Sequence, residues 1–206
     1  MTPRAEKRSH ELLNTARKIV ADGGFRALSM QALADAAGVA VGTPYRYFPS
    51  KAELCARLVA RVSKRELDVL TTIASTDSPA PERLAIMAGT FTRRALQAPN
   101  LAYAIIAEPV DPEVEDVRLK WRGRIAARFA DVLADGVRDK YLVCDDPEIA
   151  AACATGAMME AIIFSGRATS DRQDYRAIAG QVAAFCLRGV TPQALDDTLI
   201  QFDKEA

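Results

Sequence analysis

The sequence predicts an all-α chain: a small three-helix head at the N-terminus, then a larger helical body. Apolar residues recur at steps of three and four along most of the 206 residues. Half of the residues are hydrophobic but only 6% are aromatic, and Ala and Leu, both strong helix formers, dominate. Ser or Asp stands before the periodic segments, and Gly or Pro stands after them, as helix boundaries require. No segment alternates convincingly as a strand would, and there is no internal repeat.

Residues 1–8 carry Arg4, Lys7 and Arg8 and read as a mobile basic arm. Ser9 is placed to cap a first helix, with Glu11 in its first turn and Leu12, Ala16, Ile19 and Val20 on one face. Asp22-Gly23-Gly24 ends that helix. Ser29 caps a short second helix that Gly38 closes near Ala37, and a third runs from Val41 to Tyr47 until Pro49 stops it. Two short helices about a Gly-containing turn form a helix-turn-helix, whose second helix is the one that enters a DNA major groove. Phe25, Leu28, Met30, Leu33, Ala37 and Val39 supply the small core of this head.

Ser50 opens a fourth helix with the capping box SKAE, in which Ser50 and Glu53 exchange hydrogen bonds with each other's backbone. Leu54, Leu58 and Val62 carry it on to about Ile73, so it links head and body. The only clear boundary is ASTDSPAP at 74–81. The division is therefore a head at 1–54, a connecting helix at 50–73 and a body at 74–206. In the body, helices are expected at 82–97, 101–108 and 113–135, then from the cap Asp146-Pro147-Glu148 to Ser165, and from Asp171 to Arg188. Pro192 can begin a final one. The helices at 148–165 and 171–188 are too apolar to face water all round, and Ala150, Ala154, Gly156, Ala157 and Ala161 permit close approach. They are expected to pair with a second copy as a four-helix bundle, or else to be central helices of a monomer.

The formal net charge is zero but unevenly placed: residues 1–65 carry +7 and residues 66–206 carry −7. A basic head on an acidic body suits a protein that lays only its head on a polyanion. No run of 18 apolar residues suggests a membrane span, and no secretory signal is visible. Cys55, Cys144, Cys153 and Cys186 form no close pair and no metal spacing, so free thiols in a reducing cytoplasm are expected. Catalysis has little to stand on. His10 is the one histidine, there is no Gly-rich phosphate cradle, and no cofactor or metal is expected. The acidic cluster Glu108, Asp111, Glu113, Glu115 and Asp116 straddles two prolines and reads as a loop and a helix N-terminus.

The segments AxxxxxxxGF at 16–25, LSMQALADAAGV at 28–39 and GTPYRYFPSKAEL at 42–54 match a known pattern together. Through them the first quarter of the chain resembles the TetR family of bacterial transcriptional regulators. The resemblance implies a homodimer, a DNA-binding head, a connecting fourth helix and a ligand-binding body. It also implies repression of a palindromic operator, relieved by a small molecule. Carried onto this chain, Ser29 and Gln31 reach phosphate or base from the second helix. Val41, Gly42, Thr43 and Pro44 form the exposed start of the recognition helix, Tyr45 and Tyr47 are the aromatic pair, and Lys51 holds phosphate at the start of the fourth helix. Physical chemistry independently suits Thr43 to a base edge, Tyr45 and Tyr47 to phosphate oxygens, and Lys51 to an anion beside helix amides. Arg46 is long enough to reach backbone or base. Tyr47 can equally wedge head against body, and Lys51 can be a solvated charge. Two positions depart from the family: Ala40, often Ser or Thr, and Pro44, usually Leu or Ile. Pro44 favours a helix start at Thr43, with the Thr43 hydroxyl spent as a cap.

Given such a head, the large and small residues of the body suggest a cavity for a mostly apolar effector. Phe91, Tyr103, Ile106, Trp121, Phe129, Met158, Ile162 and Phe164 are its expected walls, with Arg94 and Glu160 to orient a polar group. The rival is a ligand-independent architectural DNA-binding protein, which a solidly packed body would favour.

Overall fold

The computed structural model describes residues 3–166 and 174–192. Among these residues are nine helices and no strand. They are α1 (Pro3–Ala27), α2 (Met30–Ala37), α3 (Gly42–Tyr45), α4 (Lys51–Ala74), α5 (Ala80–Leu96), α6 (Pro99–Ile106), α7 (Pro112–Arg138), α8 (Pro147–Gly166) and α9 (Tyr175–Arg188). The helix-turn-helix, the connecting helix and the all-helical body follow the sequence pattern. The expected helix start at Asp171 and the final helix expected beyond Pro192 lie outside the described residues.

Local chemistry sets most boundaries. The Ser29 side chain accepts the Ala32 amide at 3.0 Å and starts α2. Gly38 ends α2 in the left-handed region at φ 64°, and the Val39 amide returns to the Ala34 carbonyl at 3.0 Å. Asp146 caps α8 by accepting the Glu148 amide at 2.8 Å and the Ile149 amide at 3.2 Å. Two expectations are corrected. Ser9 does not open α1: proline suits a first helical position, so the helix already runs from Pro3 and buries Ser9 within it. The capping box at α4 is half made. Ser50 accepts the Glu53 amide at 3.0 Å, but the Glu53 carboxylate pairs instead with Arg57 one turn on, at 2.6 Å.

Two apolar clusters hold the chain together. Leu84, Met87, Phe129, Leu133, Met158 and Ile162 are central to the body cluster, each at most 1% exposed. The head cluster joins Leu12, Ala16, Phe25, Leu33, Phe48 and Leu58. It does not stop at the head, because Leu101, Ala104 and Ile105 of α6 and Val114 of α7 belong to it. The α1 helix packs more extensively on α6 than on α4. Buried apolar surface is the main source of stability, so the head shares its core with the body.

Of the described helices, only α8 is long and apolar enough to cross a membrane, with mean hydropathy 1.5. It packs against α5, α6, α7 and α9, as a core helix does. Its exposed positions Ile149, Cys153, Gly156, Glu160 and Phe164 fall at helical spacing along one side. Ala150, Ala154 and Ala161 turn the other way and pack on the body core.

Candidate functional site

In the head, α3 begins at Gly42, and its first turn is closed by the Thr43 amide donating to the Ala40 carbonyl at 2.8 Å. Thr43 is therefore inside the helix and its hydroxyl is not a cap, so the expected start at Thr43 is corrected. Pro44 sits within the first turn, where amides lack helical partners in any case, so its missing N–H costs nothing. Its ring is buried, which removes it from the surface that DNA would meet. Val41 is 45% and Tyr45 52% exposed, and Gly42, Arg46, Ser29, Gln31 and Lys51 are also exposed. Thr43 and Tyr47 are half-buried. Tyr47 packs against the head cluster with part of its surface exposed. The Gln31 amide group donates to Asp35 at 2.8 Å, and the Ser29 hydroxyl oxygen is engaged by its cap.

In the body, α4, α5, α6 and α7 surround an apolar cavity of about 100 Å³, with Met159 of α8 at one side. Of the expected wall residues, Phe91, Arg94 and Ile106 line it. Arg94 is already engaged, because its guanidinium makes a two-pronged pair with Glu66 at 2.7 and 2.8 Å. That hydrogen bond outweighs burial and raises the Arg94 pKa above its already high ordinary value.

The other expected wall residues lie elsewhere. Phe129 and Met158 are fully buried in packed core and leave no surface to a cavity. Tyr103 and Ile162 line a separate cleft where α1 ends against α6 and α8. Trp121 is half-buried with the Arg124 guanidinium 4.7 Å from its ring centroid. The cavity face of α7 runs instead through Arg118, Arg122 and Ile125. Glu160 is exposed, and Phe164 is 77% exposed on the outer side of α8. Large apolar residues were expected to form the walls. The walls do include large apolar residues, Phe91, Leu101, Ile105, Ile106, Ile125 and Met159, but arginine stems and small residues such as Ala95, Ala98 and Ala102 complete them, which periodicity cannot tell from ordinary packing.

Two groups escaped sequence reasoning. Arg118 is 7% exposed and donates to the carbonyls of Ile105 at 2.9 Å, Ala104 at 3.1 Å and Glu108 at 2.8 Å, while also pairing with Glu115. It thereby satisfies the open C-terminal end of α6. Glu108, grouped by sequence with a solvated acidic loop, accepts the amides of Phe25 at 2.8 Å and Arg26 at 3.1 Å.

The comparisons agree with this geometry. Residues 12–58 match the model for bacterial regulatory proteins of the tetR family. The chain is 33% identical over 144 residues to the HTH-type transcriptional repressor KstR of Mycobacterium tuberculosis, covering 66% of this chain and 63% of that protein. It is 37% identical over 100 residues to KstR of Mycolicibacterium smegmatis, covering 48% of each. The matched stretch thus spans less than two thirds of these relatives. The fold resembles the regulator FadR from Bacillus subtilis, solved in complex with stearoyl-CoA, with a TM-score of 0.77 at 18% identity, covering 87% of this chain and 98% of that one. It also resembles the fatty acid degradation regulator FadR from Bacillus halodurans, with a TM-score of 0.78 at 20% identity, covering 92% and 97%.

Proposed function

We propose, from the match of residues 12–58 to the tetR family of bacterial regulatory proteins and the likeness to KstR, that the chain is a cytoplasmic, homodimeric repressor of that family. It binds a palindromic operator and releases it when a mostly apolar small molecule enters the body. One observation carries this reading: the DNA-facing head and the cavity share α4. Lys51 opens that helix at the head, and Val62, Ser63 and Glu66 of the same helix line the cavity.

The size of the cavity supports release rather than passive storage. About 100 Å³ is below the roughly 150 Å³ that accommodates a benzene-sized guest. An acyl chain or a sterol extends beyond this space unless the walls part. A ligand shifts an equilibrium only as far as it prefers one state, and a cavity too small in the resting state supplies that preference. The stearoyl-CoA complex of the Bacillus subtilis relative supports an apolar effector class. An empty apolar space inside the body also favours this reading over a ligand-independent architectural protein. The relatives are repressors, which supports a regulator rather than an enzyme.

The test is fluorescence anisotropy with labelled promoter fragments at fixed salt. The expected result is one or more fragments bound at least about a thousandfold tighter than random duplex. Equal affinity for every fragment would sink the regulator reading. Release of the bound fragment by palmitoyl-CoA or by a sterol acid, with no effect from glucose, would support the effector class.

A further inference from the structure

The chain carries a second connection between cavity and head, and it does not run through α4. The α6 helix is eight residues long and has two working faces. Leu101, Ala104 and Ile105 belong to the head cluster, while Leu101, Ala102, Ile105 and Ile106 line the cavity. Polar groups tie both ends of α6 to the end of α1. At one end the Asn100 side chain donates to the Asp22 carbonyl at 3.1 Å. At the other, the Glu108 carboxylate takes the two amides of Phe25 and Arg26. These amides follow the break at Gly24, where φ is +74°, and have been turned out of the α1 hydrogen-bond ladder. A charged acceptor on two backbone donors is among the stronger neutral-to-ion contacts a chain can make. Gly24 is needed for it, since a Cβ there would stand 2.7 Å from the Glu108 carboxylate oxygen and in a backbone region that side chains rarely adopt.

Arg118 stiffens this arrangement. Its guanidinium holds three carbonyls at the end of α6, and the same side chain lines the cavity. A guest that parts the walls therefore moves α6 with its terminal turn and its Glu108 as one piece.

We propose that Glu108 is a positioning residue that transmits cavity occupancy to the head through α6 and α1, in parallel with α4. The inference rests on reading the body cavity as the effector site. Phe25, whose amide is held, is buried in the head cluster, and α2 begins only five residues later at Met30. Displacing the Glu108 carboxylate therefore shifts the packing on which the helix-turn-helix stands.

The experiment is a double-mutant cycle on the full chain, read by hydrogen exchange, with neither DNA nor effector present. It can therefore succeed or fail independently of operator binding. Ala95→Phe on α5 fills the cavity from a residue outside α6, and Met159→Trp on α8 is the second filler. Each is combined with Glu108→Gln, with Glu108→Ala and with Arg61→Ala. The last cuts the tie from α4 to α1, where Arg61 donates to the His10 carbonyl and the Asn14 side chain. Thermal melts select the variants that fold. Filling the cavity is expected to change exchange of the amides in α2 by about tenfold when Glu108 is intact and by less than about twofold when it is replaced. The tenfold change is expected to survive Arg61→Ala. A merely structural Glu108 would add its own effect to that of the filler without reducing it. An effect of the filler that persists undiminished in Glu108→Gln and Glu108→Ala, or is absent from the otherwise native chain, overturns the proposal.

Discussion

Tyr45 stands out of the head with 52% of its surface exposed, and no acid pairs with Lys51 at the start of α4 among the described residues. A phenol and an ammonium group so placed can each reach a phosphate, but they differ in what they would do. Lys51→Ala should weaken binding to all duplexes alike and lower the salt slope by at most about one unit. Tyr45→Ala should weaken binding with little change in that slope, because no charge is removed. Anisotropy titrations across a salt series separate the two. An unchanged affinity in both variants would remove them from the DNA surface. A different residue-scale effect holds at Cys55. Burial pushes its thiol up to about 11, with nearby Lys51 opposing the shift and Asp111 and Glu108 adding to it. The folded chain keeps this proton while an unfolded chain releases it near pH 8.5. The associated stability is therefore full below about pH 8.5 and declines as pH rises towards the folded value. Iodoacetamide at pH 8 should modify exposed Cys153 well before Cys55 in unpaired chains. Mass spectrometry of the peptides reads the order.

At the scale of single elements, caps decide where helices start. Ser50→Ala removes the acceptor of the Glu53 amide at the head end of α4, and should cost about 1 kcal/mol by denaturant unfolding. Because Glu53 is engaged with Arg57, Glu53→Gln should cost much less than the full capping box implies. These sites also show what a sequence discloses. Ser29, Gly38, Ser50 and Asp146 act on backbone within a few residues, so their roles could be read in advance. Glu108 acts on amides 83 and 82 residues away, and Glu66 on a guanidinium 28 residues away. Nothing in local spacing marks either. The helix-turn-helix was legible because its turn geometry is local. The cavity was legible only as an idea, because its apolar, alanine and arginine-stem walls look like ordinary core and helix surface until α6 is placed against α4 and α7. Pro44 shows the converse: a residue taken for a surface group is buried, since its position within α3 depends on a start that Ala40 and Gly42 set.

For the whole molecule, the open question is what covers the outer side of α8 and α9. Ile149 is 63%, Phe164 77% and Phe185 67% exposed, and the small residues Cys153 and Gly156 lie along the same side of α8 as Ile149 and Phe164. Glu160 is the one charged group on that side of α8. Large apolar side chains so exposed are seldom left to water, and a second copy offers an identical surface about a two-fold axis. Two pairs of these helices would form a four-helix bundle, which fixes the spacing between two heads and so the spacing of operator half-sites. Phe164→Asp tests the seam at its most exposed aromatic residue. The native chain should sediment at twice the 22.3 kDa of one copy, and the variant should move towards a single copy at micromolar concentration. Cys153 gives an independent reading, since iodoacetamide should label it slowly in the native dimer and quickly in Phe164→Asp. Operator affinity should fall in the variant even though its head is untouched, because each half-site is then bound separately and the gain from linkage is lost. A native chain that sediments as a single copy with Cys153 fully reactive would return α8 and α9 to the surface of a monomer. It would also require the palindromic operator to be given up, since a two-fold DNA site answers a two-fold protein.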